Sequence, residues 1–310
     1  MVTSQTASNQ TGNAAGGNVE YETVDDGRIA RIWLNRPETH NAQNRTLLVE
    51  LDEAFCRAET DDNVRVVILG ARGKNFSAGH DLGSEAAVTE RLPGPNQHRS
   101  FTGNGGTREA RVEKTYLQEW HYYFANTSRW RDLRKITIAS VQGNTISAGL
   151  MLIWACDLIV AADNARFSDV VGVRLGMPGV EYYAHPWEFG PRKAKELLLT
   201  GDSLDADEAY RLGMVSKVFP TEELADRTLE FARRIADLPT MAALLIKDSV
   251  NAAADAMGFS EALRHGFHIH QLGHAHWTAH NDNNAPIALP PEVPDWRTAK
   301  ATGLARRDQP

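Results

Sequence analysis

The stretch Ile136-Thr-Ile-Ala-Ser-Val-Gln-Gly-Asn-Thr-Ile-Ser-Ala-Gly-Leu-Met-Leu-Ile-Trp-Ala-Cys-Asp157 decides the fold. Ile136, Ile138 and Val141 make a short apolar run with β-branched members, and Gly143-Asn144 break it, so a strand ends there in a turn. The small residues Ser147, Ala148 and Gly149 follow. Leu150 to Cys156 is apolar without a period, which suits a fully buried helix, and Asp157 closes it. Leu158 to Ala162 is a second buried strand of the kind found in parallel sheets. The expected product is a helix start whose first free N–H groups are flanked only by small side chains, where an anionic oxygen can come close to the backbone.

A matching turn lies upstream. Val64 to Leu69 is another buried strand, running into Gly70-Ala-Arg-Gly-Lys-Asn-Phe-Ser-Ala-Gly-His-Asp-Leu82. There Ala78 and Gly79 again leave backbone N–H groups uncovered by side chains. Two such donors aimed at one point form an oxyanion hole.

Further out, Val19 to Asn35 alternates as strands do, with Ala30, Ile32 and Leu34 on one face and Asp25-Asp-Gly27 marking a hairpin turn. Asn44 is placed to cap a helix with Leu47, Leu51, Phe55 and Ala58 on one stripe. Strand-helix-strand spacing recurs near residues 136 to 162, which predicts an α/β layout with parallel pairing. Residues 83 to 118 show no firm period and suit a mobile lid or binding loop; Gly103 to Gly106 lack the Lys-Ser/Thr of a phosphate cradle. Trp120, Tyr122, Tyr123, Phe124 and Trp130 crowd a predicted helix, as core or as the wall of an acyl pocket. Helices are predicted from Lys193 to Leu199, from Asp205 (a cap, with Glu208 three residues on) to Gly213, from Leu224 to before Pro239, over Met241 to Met257, and from about Ser260 to His280.

The 310 residues carry 33 basic and 40 acidic side chains, a net charge of −7. That field repels phosphate backbones and anionic membranes, so neither nucleic acid nor membrane is an expected partner. No apolar run approaches the roughly 20 residues of a spanning helix. The start has neither the basic nor the apolar region of a secretory signal, and a cytoplasmic protein is expected. Cys56 and Cys156 sit in apolar helical pattern and are expected as packed, reduced thiols. Six of the 11 histidines lie between His265 and His280. His270/His274 and His276/His280 are i,i+4 pairs, but no cysteine and few carboxylates accompany them in the sequence, so no metal is expected.

Phe76-Ser-Ala-Gly-His-Asp-Leu82, the Val141-Gln-Gly-Asn-x-x-Ser-Ala-Gly149 turn and Cys156-Asp-Leu-Ile159 together resemble the enoyl-CoA hydratase/isomerase (crotonase) family. Asn35-Arg-Pro37 with Asn41-Ala42, then Leu199-Thr-Gly201 and Val215 to Phe219, continue the resemblance in order over roughly residues 20 to 270. It implies a spiral of repeated ββα units over residues 19–215, a C-terminal helical oligomerisation region over 216–280, and flanking tails at 1–18 and 281–310. It further implies an acyl-CoA substrate with coenzyme A as part of it, no separate cofactor, and assembly as homotrimers or hexamers.

By residue-by-residue matching, the family's two enolate-stabilising donors fall on the N–H groups of Ala78 and Ala148, with Gly79 and Gly149 beside them. Its two glutamates fall on Met151 and on Val171, or on Gly172 if the register slips by one, none of which transfers protons. Asp169 and Glu181 are the nearest alternatives as general acid/base, with His185 and Tyr182 behind them. Asp81 and His80 follow the first donor; Asp81 is expected to brace the loop. Arg36 and Lys74 are candidates for the CoA phosphates, and Trp120 for the acyl wall. A lyase or isomerase of fatty acid metabolism is the leading expectation. An acyl-CoA-binding pseudoenzyme and a CoA-thioester hydrolase or decarboxylase stay open beside it.

Overall fold

A computed structural model describes residues 17–84 and 111–280. Strand β1 (Val19–Val24) turns through Asp25 and Asp26, both at φ 56°, into β2 (Ile29–Leu34). Helix α1 (Arg45–Thr60) starts where expected, with the Asn44 side chain accepting the Leu47 N–H at 2.9 Å. β3 is Val66–Ala71. α2 (Arg111–Glu119) runs into a π-helical segment, Trp120–Ala125, and then α3 (Asn126–Arg131). The decisive stretch forms β4 (Ile136–Val141), β5 (Asn144–Ile146), α4 (Ala148–Trp154) and β6 (Leu158–Ala162). β7 (Arg166–Ser168) precedes helical turns at Val171–Leu175 and His185–Phe189. α5 (Pro191–Thr200), β8 (Ser203–Asp205), α6 (Ala206–Leu212) and β9 (Lys217–Phe219) follow. The chain continues through α7 (Leu224–Ala236), α8 (Thr240–Ala256) and α9 (Phe259–His280).

The main sheet runs β1-β2-β3-β4-β6-β9, parallel except for β1 against β2. Alternation along its strands explains why it is covered on both faces. Ala30, Ile32, Leu34, Val67, Leu69, Ala139, Val141 and Ala161 pack with Leu47, Leu51 and Phe55 of α1 and with α4. The residues between them, Ile29, Val66, Ile68, Ile138 and Val160, pack with Leu224, Ala232 and Ala236 of α7. The mixed α/β layout with C-terminal helices is therefore the one expected, and β9 carries the main sheet past residue 215.

A second, small sheet, β5-β7-β8, was not foreseen; its strands have three residues each, too short for an alternation to show. The expectation of no regular structure over 83–118 is also corrected, because 111–119 is helical. Contacts from outside the segment hold it: Tyr116 lies edge-on to Phe267, and Arg45 donates to Gln118 at 2.9 Å. The rest of the anticipated lid, with Gly103 to Gly106, lies outside the described residues, as do most of 1–18 and all of 281–310. Cys156 is partly covered, and burial pushes its thiol up to about 12; Cys56, expected to be packed, points outward from α1 and is exposed. No described helix is long and apolar enough to cross a membrane.

Candidate active site

The Phe76–Leu82 loop and the start of α4 are laced together through the backbone. Ser77 donates to Asn144 O at 3.2 Å, and Ile146 donates back to Ser77 O at 2.9 Å, so the loop lies alongside β5 as a short parallel partner. Glycine makes that approach possible. A Cβ on Gly149 would stand 3.0 Å from Ser77 O, and one on Gly79, at φ 88°, would stand 2.8 Å from Ile146 O and 3.4 Å from Ala148 N. Beneath the loop, the Asn41 side chain accepts from Arg36 N and donates to Arg72 O and Asn75 O. Ser77 Oγ donates to Asn41 O at 2.9 Å and accepts from Gln43 and Gly79 N.

These bonds decide which N–H groups are spent. The Ala78 N–H, expected as an oxyanion donor, is donated to His40 O at 2.9 Å and faces into this lacing. Ser77, Gly79 and Asp81 N–H groups are also paired. His80 N–H makes no hydrogen bond among the described residues, so the unspent donor of this loop is two residues beyond the predicted one. On the other side Ser147 adopts φ 47°, ψ −111°, a conformation costing an L-residue of order 1–3 kcal/mol. It donates to Ser168 O and accepts the Val170 N–H on its Oγ. This twist ends β5 and starts α4, leaving the Ala148 and Gly149 N–H groups in the unpaired first turn of the helix.

Beside the loop lies a buried polar cluster. His80 Nε2 is 3.3 Å from Glu181 Oε2, and its ring stacks on Tyr123 with centroids 3.8 Å apart. Glu181 Oε1 is 3.5 Å from His270 Nε2. Burial pushes the Glu181 carboxyl up, but the facing His80 and His270 outweigh it and hold the pKa below the ordinary range. His270 Nε2 is 3.0 Å from His274 Nε2, which lies 3.0 Å from Glu119 Oε1. Glu119, at the end of α2, also accepts from Gln271. Neither Glu119 nor any tie between it and His270/His274 was visible in the sequence, because α2 and α9 are far apart along the chain.

The other predicted residues divide cleanly. Asp169, a proposed acid/base, is a clamp: Oδ1 accepts Val171 N–H, and Oδ2 accepts Val180 N–H and His185 Nε2–H at 2.8 Å. Burial raises its pKa, and these donors, His185 foremost, bring it below the ordinary value. Its oxygens are occupied and His185 is its fixed partner, fully buried against Trp154 and Phe189, so neither is placed to exchange protons with a substrate. The Tyr182 hydroxyl is buried with no partner among the described residues, and burial drives its pKa up. Arg36 does not present its charge outward: it donates to Asp81 Oδ2 at 3.0 Å and to Ala42 O. Asp81 also receives Gly83 N, Ser84 N and Ser84 Oγ, the bracing role foreseen for it. Lys74 is exposed. Met151 is buried in α4, and Val171 opens a helical turn, half-buried on the core. Trp120 packs among Phe124, Phe267 and Tyr116.

A family model described as Enoyl-CoA hydratase/isomerase matches residues 25–104 and 99–282. A Mycobacterium tuberculosis protein that carries an enoyl-CoA hydratase name, EchA13, is 61% identical over 94% of this chain and 92% of its own length. An Arthrobacter protein named 4-chlorobenzoyl coenzyme A dehalogenase-2 is 33% identical over 72% of this chain and 74% of its own. Among solved structures, one from Mycobacterium smegmatis, also under an enoyl-CoA hydratase name, superposes with a TM-score of 0.74 at 44% identity, covering 86% of this chain and 98% of that one.

Proposed function

Because the chain belongs to the enoyl-CoA hydratase/isomerase family, we propose that it acts on an acyl-CoA thioester through an enolate whose oxygen is held by the N–H groups of His80 and Ala148. The observation that carries this reading is the pattern of spent and unspent amides: the lacing consumes Ala78 and spares His80, next to the unpaired first turn of α4. An acyl-CoA α-proton is only weakly acidic, and charge develops on the thioester oxygen as it leaves. A fixed donor aimed at such an oxygen is typically worth about 3 to 4 kcal/mol of barrier.

Proton transfer falls to Glu181, with His80 and His270 orienting it. Met151 and Val171 carry no proton, so addition of water by two opposed carboxylates finds no support at those positions. A single carboxylate that removes a proton from one carbon and returns it to another suffices for double-bond isomerisation, which we favour over hydration. Chains assemble as trimers or hexamers through the apolar side of α8.

The test uses the purified chain with a saturated acyl-CoA in deuterated water, and with 2-enoyl- and 3-enoyl-CoA followed by the conjugated absorbance. Wild type exchanges the α-proton and shifts the double bond. Glu181→Gln loses about 10²- to 10⁴-fold, the usual worth of a general base. Thiol release without exchange indicates a hydrolase, binding without either a pseudoenzyme; wild-type exchange in Glu181→Gln removes Glu181 from the mechanism.

A further inference from the structure

Three buried side chains behind Glu181 converge with more lone pairs than protons. Glu119 is 3% exposed, His270 3% and His274 6%. Their ligand-type atoms all lie within 4.8 Å of one another, the one such group found among the described residues. No lysine or arginine contacts Glu119 or Glu181 among the described residues. We propose that Glu119, His270 and His274 form a binding site for a divalent transition-metal ion of the zinc class.

Tautomers carry the first part of the argument. His270 Nδ1 is 2.7 Å from the Gly179 carbonyl, which can only accept, so Nδ1 carries a proton and, in the neutral ring, Nε2 offers a lone pair. This is the outer-sphere bond that metal-ligating histidines ordinarily make. His274 Nε2 is 3.0 Å from both His270 Nε2 and Glu119 Oε1. A single proton on His274 Nε2 cannot satisfy both, whereas one cation serves all three. His274 Nδ1 has no partner among the described residues with either filling and so does not discriminate.

Distances carry the second part. Zinc with bonds of about 2.0–2.1 Å in tetrahedral geometry places its ligands roughly 3.3–3.4 Å apart. Here the separations are 3.0 Å between the histidines, 3.0 Å from His274 to Glu119 Oε1 and 3.7 Å from His270 to the other carboxylate oxygen, Glu119 Oε2. They bracket the ideal edge, and shifts of a few tenths of an ångström reach it. The supporting shell is built as well, since Gln271 donates to Glu119. Two histidines four apart on one helix with a carboxylate from another element make a three-ligand set that leaves a fourth position open.

The inference rests on none of the donor-loop residues and shares only His270 with the acyl-CoA reading, where that side chain faces Glu181. An untagged full-length chain is stripped with chelator, given one equivalent of Zn²⁺, desalted and analysed for metal and melting temperature. Co²⁺ serves as a spectroscopic probe. One ion per chain should be retained, the melting temperature should rise, and Co²⁺ should show the strong visible absorption of a tetrahedral site. Glu119→Gln, which keeps the side chain's shape, and His274→Gln should each weaken binding by about 100-fold or more, beyond what loss of an outer-sphere group costs. His265→Ala, an exposed histidine on the same helix, should bind like wild type. A folded wild type with no retained ion, no melting shift and no Co²⁺ spectrum overturns the site, as does equal loss in His265→Ala. α-Proton exchange by the stripped enzyme, measured in parallel, separates failure of this site from failure of the thioester reading.

Discussion

Gly79 sits at φ 88° with its missing Cβ directed at Ile146 O, so Gly79→Ala meets both a backbone clash and a left-handed penalty. We expect a loss of about 1–3 kcal/mol in urea denaturation, and a fall in α-proton exchange larger than that loss explains, because the two donor loops are forced apart. Asp169 gives the opposite pattern. Its folded-state pKa lies below the unfolded value of about 3.9. Its contribution is therefore complete above that value and lost as pH falls through the lower folded one. Asp169→Asn should cost about 3 kcal/mol at pH 7 and flatten the acid limb of the stability curve below about pH 4, with exchange by the remaining folded protein intact. At this scale the sequence was legible for Asp81, whose neighbours in the chain set its surroundings. It misplaced the first donor, because nothing near Ala78 reveals that the carbonyl of His40 claims its N–H. Arg36 was misread for the same reason: Asp81, not solvent, receives it.

At the scale of elements, α9 is seated by small residues. A Cβ on Gly266 would stand 2.4 Å from Tyr183 Cβ, and one on Gly273 3.1 Å from Met177 Cγ, so the helix lies against the Met177–Tyr183 turn and brings His270 onto Gly179 O. Gly266→Ala should lift it. Hydrogen exchange should then quicken in α9 by the equivalent of about 1–3 kcal/mol, while strands β2 to β4 keep wild-type protection. Long elements such as α1, β2, β3, β4 and β6 could be read from their apolar patterns alone. β5, β7 and the π-helical segment could not: the strands are too short, and the wide turn from Trp120 to Ala125 has no distinct spacing. That turn carries Tyr123 onto His80 and follows directly on Glu119, the kind of place where π geometry recurs in functional sites.

Over the whole molecule, one apolar surface stands out. Met241 (65% exposed), Leu245, Ile246, Val250 and Met257 lie bare on and just beyond α8. Contiguous exposed apolar surface of this kind marks interaction sites. Ile246→Asp together with Val250→Asp should convert a multiple of the 34.2 kDa chain mass to the single-chain mass in light scattering; an unchanged mass places the contact elsewhere. Nothing in the composition or charge could position α9 over the Gly179 turn, since that packing depends on glycines whose role appears only in three dimensions. The central claim concerns one carbonyl held by two amides. It is tested most directly by infrared difference spectroscopy of an acyl-CoA carrying ¹³C at the thioester carbonyl, bound to wild type and to Gly79→Ala. The expected result is a carbonyl stretch shifted to lower frequency on wild-type enzyme and restored toward its solution value on the variant; a stretch at the solution frequency on the wild type would contradict it.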